Sequence, residues 1–202
     1  DDVYDVSVTA TDAYGNVGND ASTDELIVDM IPPVAPSVPV LESDSGTPGD
    51  NLTNVQTPTF TGTAEENSLV ELLEGPTVLA MATADGSGAW SIISSELSEG
   101  DHTLTARQTD QYGNGPGPES ESVTISVDIT PPNAPVSVDL TSFSDSGIST
   151  SDNITMAITT TFLGLAEADA TITLSSDLQV PTAIGTSDGG IWVISFELGE
   201  GS

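Results

Sequence analysis

The chain of 202 residues contains no cysteine and no lysine. Without cysteine, neither a disulfide framework nor a thiolate metal site can form. Arg107 alone carries a permanent positive side-chain charge against 32 acidic residues, and the formal net charge is −31. A surface of that sign repels phosphate backbones and anionic headgroups, so no nucleic acid and no membrane insertion is expected among its partners. No apolar run approaches the roughly 20 residues that span a bilayer. No signal peptide opens the sequence. Asp1-Asp2-Val3-Tyr4 already leads into a strand pattern, and the chain reads as a piece of something longer. What the composition favours is divalent cations, which acidic oxygens bind well. The plainer alternative is that the charge only keeps a crowded extracellular polymer soluble.

What is present is repetition. Asp29-Met30-Ile31-Pro32-Pro33-Val34-Ala35-Pro36 returns 99 residues later as Asp128-Ile129-Thr130-Pro131-Pro132-Asn133-Ala134-Pro135. Each copy closes a β-like run with an aspartate and continues into stiff proline-rich chain, as a joint between domains would. Asp12-Ala13-Tyr14-Gly15-Asn16 matches Asp110-Gln111-Tyr112-Gly113-Asn114. Ser43-Asp44-Ser45-Gly46 and Asp50-Asn51-Leu52-Thr53 match Ser144-Asp145-Ser146-Gly147 and Asp152-Asn153-Ile154-Thr155. Phe60, Trp90 and Glu99-Gly100 recur as Phe162, Trp192 and Glu200-Gly201.

These matches divide the chain into the last strands of one domain (1–33), a complete domain (34–131) and the first strands of a third (132–202). Residues 1–33 supply the strands that 132–202 lacks, so the chain reads as one period of an array cut out of phase, or as an arbitrary window through one. Tyr4, Val6, Val8 and Ala10 alternate with polar residues, as do Leu104 and Ala106, and Val123, Ile125 and Val127. That is the period of a half-buried strand. Asp85-Gly86-Ser87-Gly88 suits a hairpin between runs at Val78–Ala84 and Ala89–Ile93. About seven short strands per copy and no helical pattern predict tandem antiparallel β-sandwiches, arranged end to end. Strands of about eight residues at about 3.3 Å rise, with loops, make each domain about 40 Å long.

Thr57-Pro58-Thr59-Phe60-Thr61-Gly62-Thr63-Ala64, Gly88-Ala89-Trp90-Ser91-Ile92, Gly100-Asp101-His102-Thr103-Leu104 and the closing Asp128-Ile129-Thr130-Pro131-Pro132 resemble a bacterial Ig-like repeat. The third copy departs from the pattern at Thr159-Thr160-Thr161 and Gly164-Leu165, which suggests two alternating repeat types. Such repeats build the stalks of giant surface adhesins and biofilm-associated proteins. The resemblance implies an extracellular, cell-surface location. Its implied partners are neighbouring repeats of the same polypeptide or identical chains, with other domains reaching a host or matrix surface.

Carboxylates crowded at a joint repel by about 1–4 kcal/mol per pair at 4 Å. Calcium takes six to eight oxygens and turns that repulsion into a bridge. The resemblance implies Ca2+ at the same places. The first ligand candidates are Asp29 and Asp128, with Glu65 and Asp110 on the receiving loops, Asp12 as the equivalent of Asp110, and Glu167 as the equivalent of Glu65. Asp44, Asp50, Asp145 and Asp152 form a second set within the long first loop. Tyr-Gly-Asn in the Asp12 and Asp110 loops reads as turn-forming rather than ligand-binding.

No enzyme is expected. A Ser-His-Asp site would have to use His102, whose counterpart is Tyr4 and whose parity with Leu104 places it at the edge of a core. Paired-carboxylate hydrolysis is open on residue type, but catalytic acids need a cleft and a raised pKa, whereas these acids recur with the structural repeat. Two functions remain open: a calcium-stiffened spacer, or a subunit whose copies complete one another's domains in a filament or matrix.

Overall fold

The computed structural model describes residues 2–20, 22–24, 26–146, 148–175 and 183–197. The expected repeat at Glu200-Gly201 lies outside them. The described residues contain seventeen strands and no helix. The chain forms two units, Asp1–Ile129 and Thr130–Ser202.

The first unit opens with short strands. β1 (Asp2–Tyr4) pairs with β4 (Leu26–Val28), and β2 (Thr9–Thr11) pairs with β3 (Val17–Asn19). The sequence predicts one strand through Tyr4, Val6, Val8 and Ala10. The structure breaks it, leaving residues 5–8 outside any strand, and Val6 and Val8 are 47% and 62% exposed. Alternation marks a face that an opposing sheet can bury, and this segment gains no such cover within its own unit.

The complete sandwich follows. Its strands are β5 (Val40–Leu41), β6 (Leu52–Thr53), β7 (Thr59–Thr63), β8 (Leu69–Glu74), β9 (Thr77–Thr83), β10 (Ala89–Ile93), β11 (Gly100–Thr109) and β12 (Val123–Val127). They form a three-stranded sheet, β10-β7-β5, and a five-stranded sheet, β6-β12-β11-β8-β9. Side chains alternate across each strand, and the inward sets meet. Leu41, Phe60, Trp90 and Ile92 come from one sheet, and Val70, Leu72, Leu104, Ala106, Ile125 and Val127 from the other. Burying each large apolar side chain contributes about 1.5–3 kcal/mol.

Two features were not expected. The stretch after β5 is more than a loop, because it carries the chain to the other sheet, where β6 pairs in parallel with β12. The Asp85–Gly88 turn forms, with Asp85 Oδ1 accepting from the Ser87 and Ala89 N–H groups at 2.8 and 3.0 Å. It does not close a hairpin, since β9 pairs with β8 while β10 pairs with β7 in the opposite sheet. Both flanking strands feed the same core, and lying in opposite sheets lets each point inward.

The β10–β7 pairing depends on a missing side chain. Trp90 stands opposite Gly62, and a Cβ there would meet the indole and lie 2.6 Å from Ser37 Oγ.

The second unit repeats this geometry. It comprises β13 (Val136–Leu140), β14 (Thr159–Leu165), β15 (Thr171–Leu174), β16 (Ala183–Thr186) and β17 (Ile191–Glu197). Sheet β13-β14-β17 matches β5-β7-β10, and β15-β16 matches β8-β9. Trp192 stands opposite Gly164, where a Cβ would lie 2.5 Å from its ring. Gly62→Ala is expected to lower unfolding free energy by about 1–3 kcal/mol through overpacking. A denaturant titration followed by Trp90 fluorescence reads this directly.

Candidate metal centre

The first joint is built from one strand end and three receiving groups. β4 ends at Val28, and Asp29 opens the proline segment. Pro33 is buried, and Gly117 packs so closely that a Cβ there would strike the Pro33 carbonyl. Asn114 Nδ2 donates to the Asp29 carbonyl at 3.2 Å. Gln108 Nε2 donates to the Val34 carbonyl at 2.8 Å, and Gln108 Oε1 accepts from the Glu65 N–H at 2.8 Å. The Val34 N–H in turn donates to Glu65 Oε1 at 3.3 Å. The linker is thus hydrogen-bonded to the domain that follows it. Sequence reading missed Gln108 and Asn114 here. The signal for Gln108 is its parity: it shares the inward face of β11 with Leu104 and Ala106, where a polar residue needs a partner.

Asp29, Glu65, Glu66, Asp110, Gln111 and Tyr112 line one cleft of about 270 Å³. Three first-choice ligands, Asp29, Glu65 and Asp110, therefore face a common space. All offer hard oxygens, the donors that calcium takes. As the side chains lie, no group of three or more His, Cys, Asp or Glu among the described residues is arranged to hold one ion. Glu65 and Glu66 are exposed, so a shared ion depends on their swinging inward.

Asp110 is already engaged. Its Oδ1 accepts from the Tyr112 and Asn114 N–H groups at 2.9 and 2.8 Å, and its Oδ2 from Asn114 Nδ2 at 2.8 Å. Burial pushes its carboxyl up, but the bonds from Asn114, Tyr112 and Gly113 outweigh that and hold it below the ordinary value. Asp12 is held in the same way by Tyr14 and Asn16, and its carboxyl is lowered chiefly by the Asn16 side chain. Both aspartates lock a turn, in which Gly15 and Gly113 take φ +87° and +91°.

The other candidates are scattered. Asp128 follows β12, and its N–H donates to the Thr53 carbonyl at 2.9 Å. In the second unit, Glu167 is the one acidic residue lining a cleft of about 550 Å³ with Thr130, Asn133, Ala134, Val136, Leu165 and Ala166. Asp50 and Asp152 are exposed, and each accepts from the N–H two residues on, Leu52 at 2.9 Å and Ile154 at 3.1 Å. Asp44 Oδ2 accepts from the Gly49 N–H at 2.5 Å, and Asp145 Oδ2 from the Asn153 N–H at 3.2 Å.

The two cationic side chains are spoken for. Arg107 Nε donates to Glu71 Oε2 at 2.6 Å. His102, at 7% exposure, holds the expected core-edge position. Its Nδ1 lies 2.8 Å from Glu74 Oε1 and its Nε2 2.9 Å from the Ser98 carbonyl. Both neighbours are acceptors, so the protonated ring suits the site. Burial pushes its pKa down, but the Ser98 carbonyl and Glu74 carry it above 6.5.

Residues 33–129 match the model of the bacterial Ig-like domain family. No curated protein matches. Among solved structures, a biofilm associated protein BSP domain aligns at 14% identity and a TM-score of 0.27. The alignment covers 75% of this chain and only 24% of that one.

Because the folded-state pKa of His102 is raised, its pairing stabilises the fold fully below pH 6.5 and is lost as pH rises through the folded value. The urea midpoint is expected to fall across that interval, and His102→Gln is expected to remove the dependence.

Proposed function

We propose that this chain is a structural extender from a bacterial cell-surface adhesin or biofilm protein, stiffened by calcium at its joints and without enzymatic activity. The observation that carries the reading is the joint at Asp29. A proline segment is hydrogen-bonded through Asn114 and Gln108 to the domain that follows. Beside it, carboxylates from both sides of the joint face one cleft. Prolines fix φ and limit bending, and a calcium ion drawing in Asp29 and Glu65 would relieve their repulsion and lock the angle. Such an element transmits position rather than chemistry. Its place would be extracellular, its contacts neighbouring repeats, and any receptor contact would belong to other domains.

Small-angle scattering and thermal melting, first with calcium and then with chelator, test this. Removing calcium is expected to shorten or loosen the particle and lower its melting temperature. Asp29→Asn is expected to behave with calcium as the parent chain does without it. Identical scattering and melting in both buffers would remove the calcium mechanism.

A second reading has its own observation. β1–β4 pairs Tyr4 with Leu26 and Asp2 with Val28, just as β11–β12 pairs His102 with Ile125 and Gly100 with Val127. The described strands of the second unit correspond to β5 and β7–β10. A hairpin of the β1–β4 kind is the complement of that unit, whether it comes from the same polypeptide or an identical chain. Light scattering over a range of concentrations separates the two sources: growing mass supports assembly between copies, and constant monomer mass rejects it.

A further inference from the structure

The outer face of the second unit is the apolar counterpart of a polar face in the first. Trp192 stands opposite Gly164 as Trp90 stands opposite Gly62, so the paired strands correspond at an offset of 102 residues. Phe162, Trp192 and Ile194 turn to the core, as Phe60, Trp90 and Ile92 do. The residues between them turn outward. In the first unit these are Thr61 opposite Ser91 and Thr63 opposite Ala89, with Ser37 bonded beside Thr63. In the second they are Leu163 opposite Val193 and Leu165 opposite Ile191, with Val136 beside Leu165. Cross-strand partners share one side of a sheet, so five aliphatic side chains form one patch. Their exposure runs from 37% at Leu163 to 60% at Val193.

Elsewhere on the same side the exchange runs the other way. Val40 beside Thr61 and Ile93 beside Thr59 have Asp139 and Ser195 as counterparts. The Thr161 and Ser195 hydroxyls bond to one another at 3.0 Å. The aliphatic residues are thus gathered in one place and bordered by polar ones, which is the form of an interaction site rather than of scattered surface hydrophobes. Counterparts of β11 and β12 would join the sheet of β15 and β16 and cover the inner side, so they would leave this face open.

Charge and area point to the occupant. Residues 132–202 carry no lysine, arginine or histidine, so two copies meeting through their charged surfaces repel one another. The patch itself is uncharged. Two copies related by a twofold axis can lay it face to face, at the roughly 10 Å spacing of packed sheets. Asp139 stands at its rim, so the contact is opposed at low ionic strength and released by salt. At these exposures the patch presents about 400 Å² per copy, against about 800 Å² per partner in a standard interface. One contact is therefore weak, and an array that repeats the face gains by multivalency. We propose that this face is a lateral docking surface for the same face of a second copy. That it holds long chains side by side rests on the extender reading; the contact itself needs neither calcium at the joint nor exchange of strands.

The test is sedimentation velocity of the whole chain in chelator, over rising protein concentration, at about 0.05 M and about 0.5 M sodium chloride. The average mass is expected to rise with concentration, more steeply at the higher salt. The methyl NMR signals of Leu163, Leu165 and Val193 are expected to shift with it, while those of Val70 and Leu72 stay. A chain with Leu163→Thr, Leu165→Thr, Ile191→Ala and Val193→Ser takes the residues that the first unit already folds with, and it is expected to lose the rise. The reverse exchange, Thr61→Leu, Thr63→Leu, Ala89→Ile and Ser91→Val, adds a second face and is expected to steepen it. Constant monomer mass at both salt concentrations would overturn the proposal. Association that weakens with salt would also overturn it, in favour of a charged contact. Association that survives the four substitutions would do so in favour of a second unit completed by another copy's β1–β4 hairpin.

Discussion

Negative charge without an internal counter-charge is the constraint under which this protein folds. With 32 carboxylates and two cationic candidates, ion pairing answers almost none of the charge. The main chain does much of that work instead. Asp12, Asp29, Asp50, Asp85, Asp110 and Asp152 each accept the N–H two residues ahead. A short carboxylate that captures its own backbone makes a turn, so the acids that repel other polyanions also bend the chain between strands. Hydrogen bonds to the charged form lower the pKa of a carboxyl, and Asp12, Asp85 and Asp110 are all shifted that way. These turns are held by donors that sequence neighbours supply.

The few polar groups that enter the interior have specific partners. Gln108 sits on the core side of β11 at 1% exposure, yet both ends of its amide are used, one on the linker and one on the loop that carries Glu65. A hydrocarbon at that position would pack but leave the Val34 carbonyl and the Glu65 N–H without it. His102 plays the corresponding part at the other end of β11, joining β8 through Glu74 and the preceding segment through Ser98. One strand therefore carries the anchors of both ends of the sandwich, with Leu104 and Ala106 between them in the core.

Strand parity was legible because the core is formed by simple alternation: Phe60, Val70, Leu72, Trp90, Ile92, Leu104 and Ile125 all face inward as their spacing predicts. The repeat was legible because Phe, Gly and Trp recur together, and the structure shows why: Gly62 and Gly164 leave room for the facing indoles. Sheet membership was not legible. A tight turn fixes chain reversal but not which neighbour each flanking strand will hydrogen-bond, so Asp85–Gly88 reads as a hairpin and forms a crossing between sheets. Val6 and Val8 fail for a related reason, since alternation records a face that can be covered rather than the surface that covers it.

The acidic residues separate by what their oxygens already touch. From sequence, Asp12 and Asp110 rank with the joint ligands because of their loop position, and Asp44 and Asp145 rank behind them. Donor occupancy reverses that order. Asp12 and Asp110 accept from a side-chain amide as well as from two main-chain N–H groups, and a cation would have to displace those bonds or share their oxygens. Asp44 and Asp145 each keep one buried oxygen with no donor, so a cation there displaces nothing from the protein. Sequence cannot rank them this way, because Asp-x-Tyr-Gly-Asn and Ser-Asp-Ser-Gly are equally acidic and equally turn-like. The difference arises only when Asn114 folds back on Asp110, while no donor in the first loop reaches Oδ1 of Asp44.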